Sequence, residues 1–144
     1  MIATRKFSQR DYAAFDRYKH IVVDRLNQSG WDAWVNGDQY GVDIVGWSRR
    51  GRLFTADVEV KAVDFTGQAD FPFPTVRFTE RKRKYGMGFF YIVLSMNGAA
   101  GYYACGRDIY RTENAVVRRA SRNGATAMEG FYELPKEKVV WFSI

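Results

Sequence analysis

Residues 41–63 read GVDIVGWSRRGRLFTADVEVKAV, and the fold turns on how this stretch is paired. From Leu53 onward the chain alternates. Phe54, Ala56, Val58, Val60 and Ala62 fall on one face of a strand, and Thr55, Asp57, Glu59 and Lys61 on the other. Residues 42–47 form a second strand, with Asp43 near its start. Residues 48–52 suit a three-residue hairpin loop in which Gly51 takes the positive-φ position. Pairing Ser48 with Arg52 puts Asp43 opposite Asp57 and diagonal to Glu59. Opposite and diagonal side chains stand about 5–8 Å apart at Cβ. Asp43 and Glu59 are then close enough to share one hard cation, whose carboxylate bonds are about 2.0–2.1 Å long for magnesium. Lys61 points from the same face toward the same spot. A carboxylate pair with a lysine beside it suits phosphodiester cleavage, as a metal clamp plus a positive charge near the attacking water.

The order Gly-Val-Asp43, a short hairpin, then Glu59-Val-Lys61 resembles the PD-(D/E)xK nuclease superfamily, which includes many restriction enzymes and archaeal-type Holliday-junction resolvases. Val42 stands where the family name has proline. The resemblance covers about the first two-thirds of the chain. It implies a restriction-endonuclease-like α/β (α+β) core, a central mixed sheet flanked by helices. It also implies a Mg2+- or Mn2+-dependent DNA endonuclease. Asp43 and Glu59 would be metal ligands with the carbonyl of Val60 as a third, and Lys61 would orient the water. An acidic residue on the first helix supports the metal site in this family, and Asp16 is the candidate. Relatives commonly act as dimers, so a homodimer is expected.

The whole chain of 144 residues reads as one domain, 1–144, long enough for a sizeable core. Its 47% hydrophobic and 17% aromatic content belongs to a folded globule. A net charge of +6 favours an acidic partner, with DNA the expected one. One cysteine and one histidine leave no pairable disulfide and no Cys or His metal cluster. No apolar run is long enough to span a bilayer, and residues 1–12 lack the apolar core of a signal peptide. A cytoplasmic protein is expected, and a compact nuclease domain suits phage or mobile-element DNA processing.

Along the chain, Ser8 is the expected N-cap of a helix running to about Gln28, where Gly30 stops it. Phe15, Tyr18, Val22 and Leu26, with Ile21, form its buried stripe. Residues 31–35 give a short strand that packs Trp34 or Trp31 on the helix. Residues 64–74 hold two prolines and three phenylalanines. This loop either covers a site and stacks on nucleic acid or folds onto an apolar patch. A helix from near Thr79 to Gly86 carries Arg81, Lys82, Arg83 and Lys84, read either as phosphate contacts or as a solvated face. Residues 89–95 read as a central strand covered on both faces, and residues 101–105 as the strand after it. A second helical region from Arg107 carries Val116, Val117, Arg118 and Arg119, a further basic cluster for DNA. The alternative function is a non-catalytic nucleic-acid-binding module on the same fold, which needs the basic clusters but neither Asp43 nor Glu59.

Overall fold

The computed structural model describes residues 9–38, 41–120 and 128–144; the side chains of residues 9–15, 115, 118–120 and 128 are outside the description. The expected N-cap Ser8 and the side chain of Phe15 therefore lie outside the described residues. Helix α1 (Gln9–Gln28) ends as its sequence dictates. Trp31 N–H donates to Leu26 O and Gly30 N–H to Asn27 O, both at 3.1 Å, with Gly30 at φ 89°. This is the paired C-terminal closure that glycine permits.

The strands are β1 (Asp32–Val35), β2 (Ile44–Trp47), β3 (Leu53–Val60), β4 (Thr75–Thr79), β5 (Phe90–Leu94), β6 (Ala100–Cys105), β7 (Ala115–Ala120), β8 (Met128–Pro135) and β9 (Val140–Ser143). Six of them form a sheet in the order β1-β2-β3-β5-β6-β9, and the other three form a sheet ordered β4-β8-β7. Among the described residues only β3 and β5 run parallel; the other pairs are antiparallel. The fold is α+β with a central mixed sheet, as expected. The hairpin has the expected register. Ile44 lies opposite Ala56 and Trp47 opposite Leu53, Ser48 N–H donates to Arg52 O at 2.8 Å, and Gly51 sits at φ 73°.

The large sheet is covered differently on its two faces. Val22 and Val23 of α1 pack on Ala33, Ile44, Phe54, Ala56, Ile92 and Leu94, with Tyr18 and Leu26 half-buried beside them. The opposite face of β5 and β6, with Tyr91, Val93, Tyr102 and Ala104, packs against Val76 and Phe78 of β4 and Tyr132 and Leu134 of β8. Phe65 and Phe71 of the proline-bearing loop belong to that second core, while Phe73 is exposed. This loop is folded down on an apolar patch. Strand β5 is the buried central strand that its apolar run implies.

Two expectations are corrected. The flank opposite α1 is a three-stranded sheet, not a helix layer. The helical region expected from Arg107 is one turn, α2 (Gly106–Ile109), followed by β7, so Val116, Val117, Arg118 and Arg119 lie on a strand. β-branched Val116 and Val117 fit a pleated surface, and β8 supplies the backbone partners in a register that pairs Val117 with Phe131. The side chains of Arg118 and Arg119 are outside the described residues. The basic segment 80–85 keeps its expected bounds as a 3₁₀ helix, Glu80–Tyr85, with Thr79 as its N-cap and Gly86 closing it at φ 92°.

Candidate active site

The hairpin register brings two acids together where β2 begins, Asp43 just before it and Asp57 within β3. Asp43 immediately precedes β2, and its backbone N–H donates to Asp57 Oδ1 at 3.0 Å. In return, Val58 N–H donates to Asp43 Oδ2 at 2.8 Å. The two carboxylates thus extend the β2–β3 ladder by one step, each accepting from the other's strand. Each has its second oxygen on an ammonium group: Asp43 Oδ1 lies 3.2 Å from Lys19 Nζ of α1, and Asp57 Oδ2 lies 2.8 Å from Lys82 Nζ of the 3₁₀ helix.

Asp57 is the most buried charged residue of the group, 5% exposed. Burial lifts its carboxyl from the ordinary 3.8 to about 6; Lys82 pulls the value down and the nearby Asp43 charge pushes it up. Lys82 also lies 4.5 Å from the centre of the Tyr91 ring, so its charge is held by a carboxylate and an aromatic face together. The Tyr85 hydroxyl, 3.5 Å from Gly41 O, is raised above its usual range by burial, with Asp57 and Asp43 adding to the rise.

Glu59 follows Asp57 on the same face of β3, one step further along. Its Oε2 accepts the Tyr91 hydroxyl at 2.5 Å, and that hydroxyl accepts Thr79 N–H at 3.3 Å. Burial and the Glu59 charge hold the Tyr91 phenol well above its ordinary range, so it donates to the carboxylate. Among the described residues the buried Tyr102 hydroxyl finds no hydrogen-bond partner, and burial, then the Glu59 charge, pushes its pKa up.

The contacts join Asp43 to Asp57 and turn Glu59 toward Tyr91. Lys61 continues past β3, its N–H donating to Leu94 O at 2.9 Å on the β5 side. Val58 turns its N–H to Asp43 on the β2 side, and by strand alternation Val60 turns its backbone groups to that side too. Asp16 is paired with His20 at 3.3 Å along α1, and the contact from α1 to Asp43 is made by Lys19. Of the basic run, Lys82 is tucked against Asp57. Exposed Arg81 lies 3.4 Å from Glu129, Arg83 donates to the Tyr132 hydroxyl at 3.3 Å, and the Lys84 ammonium lies 5.3 Å from the Tyr85 ring centre.

The sequence places Asp57 on this face and offers Glu59 as the ligand; the roles of Lys19, Tyr91 and the inward-turned Lys82 come from the structure. Lys19 was accessible as the residue one turn after Asp16. Tyr91 was not, because its place depends on the parallel register that sets it beside Asp57.

Among the described residues, no three His, Cys, Asp or Glu side chains gather as a metal-holding group. The Asp43–Asp57 pair nevertheless fits a hard divalent cation. Its donors are all oxygen, magnesium commonly takes one or two carboxylates and fills its remaining positions with water or substrate phosphate, and both second oxygens already attract a cationic group.

No protein-family description matches the sequence, and no curated protein does. Among solved structures, the chain is similar to Hjc of Archaeoglobus fulgidus, a Holliday junction resolvase from an archaeal hyperthermophile. The TM-score is 0.47 at 9% identity, covering 84% of this chain and 83% of that one. Among the described residues, no helix is long and apolar enough to cross a membrane.

Proposed function

We propose that this protein is a metal-dependent DNA endonuclease that hydrolyses phosphodiester bonds in duplex or branched DNA, acting in the cytoplasm and as a homodimer when both strands are cut. The observation that carries this reading is the mutual bracing of Asp43 and Asp57, which leaves each carboxylate one oxygen aimed at a positive charge. Asp43 and Asp57 would hold a magnesium or manganese ion, with the Val60 carbonyl and Glu59 as the next donors along β3. Such an ion, when bound, polarises the scissile phosphate and makes its water more acidic. Lys82 and Lys61 supply positive charge beside the phosphate as negative charge develops there. Tyr91 fixes the Glu59 carboxylate, and Asp16 orients His20 on the neighbouring helix face. Arg81, Arg83, Lys84, Arg118 and Arg119 would contact backbone phosphates and position the duplex without choosing a sequence.

One observation favours a second reading, a nucleic-acid-binding module without catalysis: Lys19 and Lys82 already neutralise both carboxylates. Plasmid nicking separates the two. The endonuclease reading predicts cleavage with magnesium or manganese that chelator stops and that Asp43→Asn and Asp57→Asn each abolish. DNA binding that weakens with salt, with no product under any divalent ion, would leave only the binding module.

A further inference from the structure

The face of the large sheet that bears Asp57 and Glu59 is only partly covered. The small sheet covers it over β5 and β6. At its other end, alternation places Trp34 of β1, Trp47 of β2 and Leu53 of β3 on this face, because Ala33, Ile44 and Phe54 point to α1. These three large side chains are 46%, 46% and 69% exposed. Trp47 lies directly opposite Leu53, and Trp34 sits diagonally across the β1–β2 pair. The turn closing this end carries Arg49, Arg50 and Arg52, all exposed; Arg49 lies against Gly30 at the end of α1 and Arg52 shares the face of Phe54 by alternation, while Arg50 has neither placement, and Asp32 is the register partner of Trp47.

We infer that this aromatic and arginine-rimmed end of the sheet binds unpaired nucleobases of a DNA strand, making the substrate one that exposes single-stranded bases near the cut. The inference rests on the nuclease reading for its link to cleavage. Flat indole rings offer stacking surfaces to any base, and Arg50 in the turn at this end can match a phosphate between bases. Leu53 is four residues from Asp57 along β3, about 13 Å at a strand rise of about 3.3 Å per residue. A strand lying along β3 therefore spans both the platform and the acidic pair. A second copy of the chain fits less well. A two-fold interface centred on Trp47 sets the same patch against itself, and that brings the arginine turns toward one another.

The test uses the whole chain in chelator, so that binding is read apart from cleavage. Fluorescence anisotropy with an oligothymidylate and with a blunt duplex of equal length is measured for the native protein, Trp34→Ala, Trp47→Ala and Trp47→Phe. The inference predicts quenching of tryptophan emission by the oligothymidylate and at least about fivefold weaker single-strand binding for each alanine variant. It also predicts near-native binding for Trp47→Phe and unchanged duplex binding throughout. Equal losses on both DNAs, or no loss on either, overturn it. So does a concentration-dependent dimer that Trp47→Ala dissolves, since a second copy then covers the face. A parallel magnesium nicking assay keeps the readings apart. Duplex cleavage without tryptophan-dependent single-strand binding sinks the platform alone. Tryptophan-dependent binding with no cleavage of any DNA supports the platform and removes its link to catalysis.

Discussion

Asp57 carries a buried carboxyl whose proton is held more tightly in the folded chain than in the unfolded one, about 6 against 3.8. A raised acid contributes stability that is complete below the unfolded value and is lost as pH rises through the folded one. In chelator, the native protein should therefore lose stability relative to Asp57→Asn between about pH 4 and pH 7, by on the order of 3 kcal/mol at most. Urea unfolding of both proteins across that range measures it, and parallel curves would contradict it. Lys82 holds this pKa down. Lys82→Met should raise it further above about 6, read from the carboxyl carbon shift by NMR. Tyr91 makes a separate prediction, because its hydroxyl serves both Glu59 and Thr79. Tyr91→Phe strands a partly buried carboxylate and should cost about 1–3 kcal/mol in denaturant unfolding. At this scale the sequence showed which face Asp57 and Glu59 occupy. It could not show that Lys19 and Lys82, each more than twenty residues away from its acid, close on the pair.

Elements whose signals are local were legible, and those that need a distant partner were not. The β2–β3 hairpin was readable because alternation, Gly51 and the Ser48–Arg52 pairing all lie within about twenty residues. Strand β4 carried a faint version of the same signal, with Val76 and Phe78 buried, but the basic run directly after it drew attention to a helix. Strand β7 has two adjacent valines and two adjacent arginines, without alternation, and its register comes only from β8. The β1–β2 contact supplies a prediction at this scale. A Cβ on Gly46 would lie 2.3 Å from the Asp32 carbonyl oxygen and 2.6 Å from Ala33 Cα, both backbone atoms with little room to move. Gly46→Ala should separate β1 from β2, cost about 1–3 kcal/mol or more, and increase amide hydrogen exchange in residues 32–35 ahead of the rest of the sheet. Uniform protection across β1, β2 and β3 would contradict it.

For the molecule as a whole, the sheet is the device that assembles the site. Three-layer packing buries its middle, sets Asp43 at the start of β2 against buried Asp57 within β3, and keeps the tryptophan-bearing end open. The α+β class and the central mixed sheet followed from the order of elements in the sequence. The second sheet did not, because β4 joins it by pairing with β8 more than forty residues further along. Catalysis requires that the two braced carboxylates accept a divalent ion where they now hold ammonium groups. Anomalous scattering from crystals soaked in manganese tests this directly. The expected result is a peak within coordination distance of both Asp43 and Asp57, with Lys82 displaced from Asp57, and no peak in crystals of Asp57→Asn. Lys82 remaining on Asp57 with no manganese beside the pair, or a peak that persists in the variant, would contradict it.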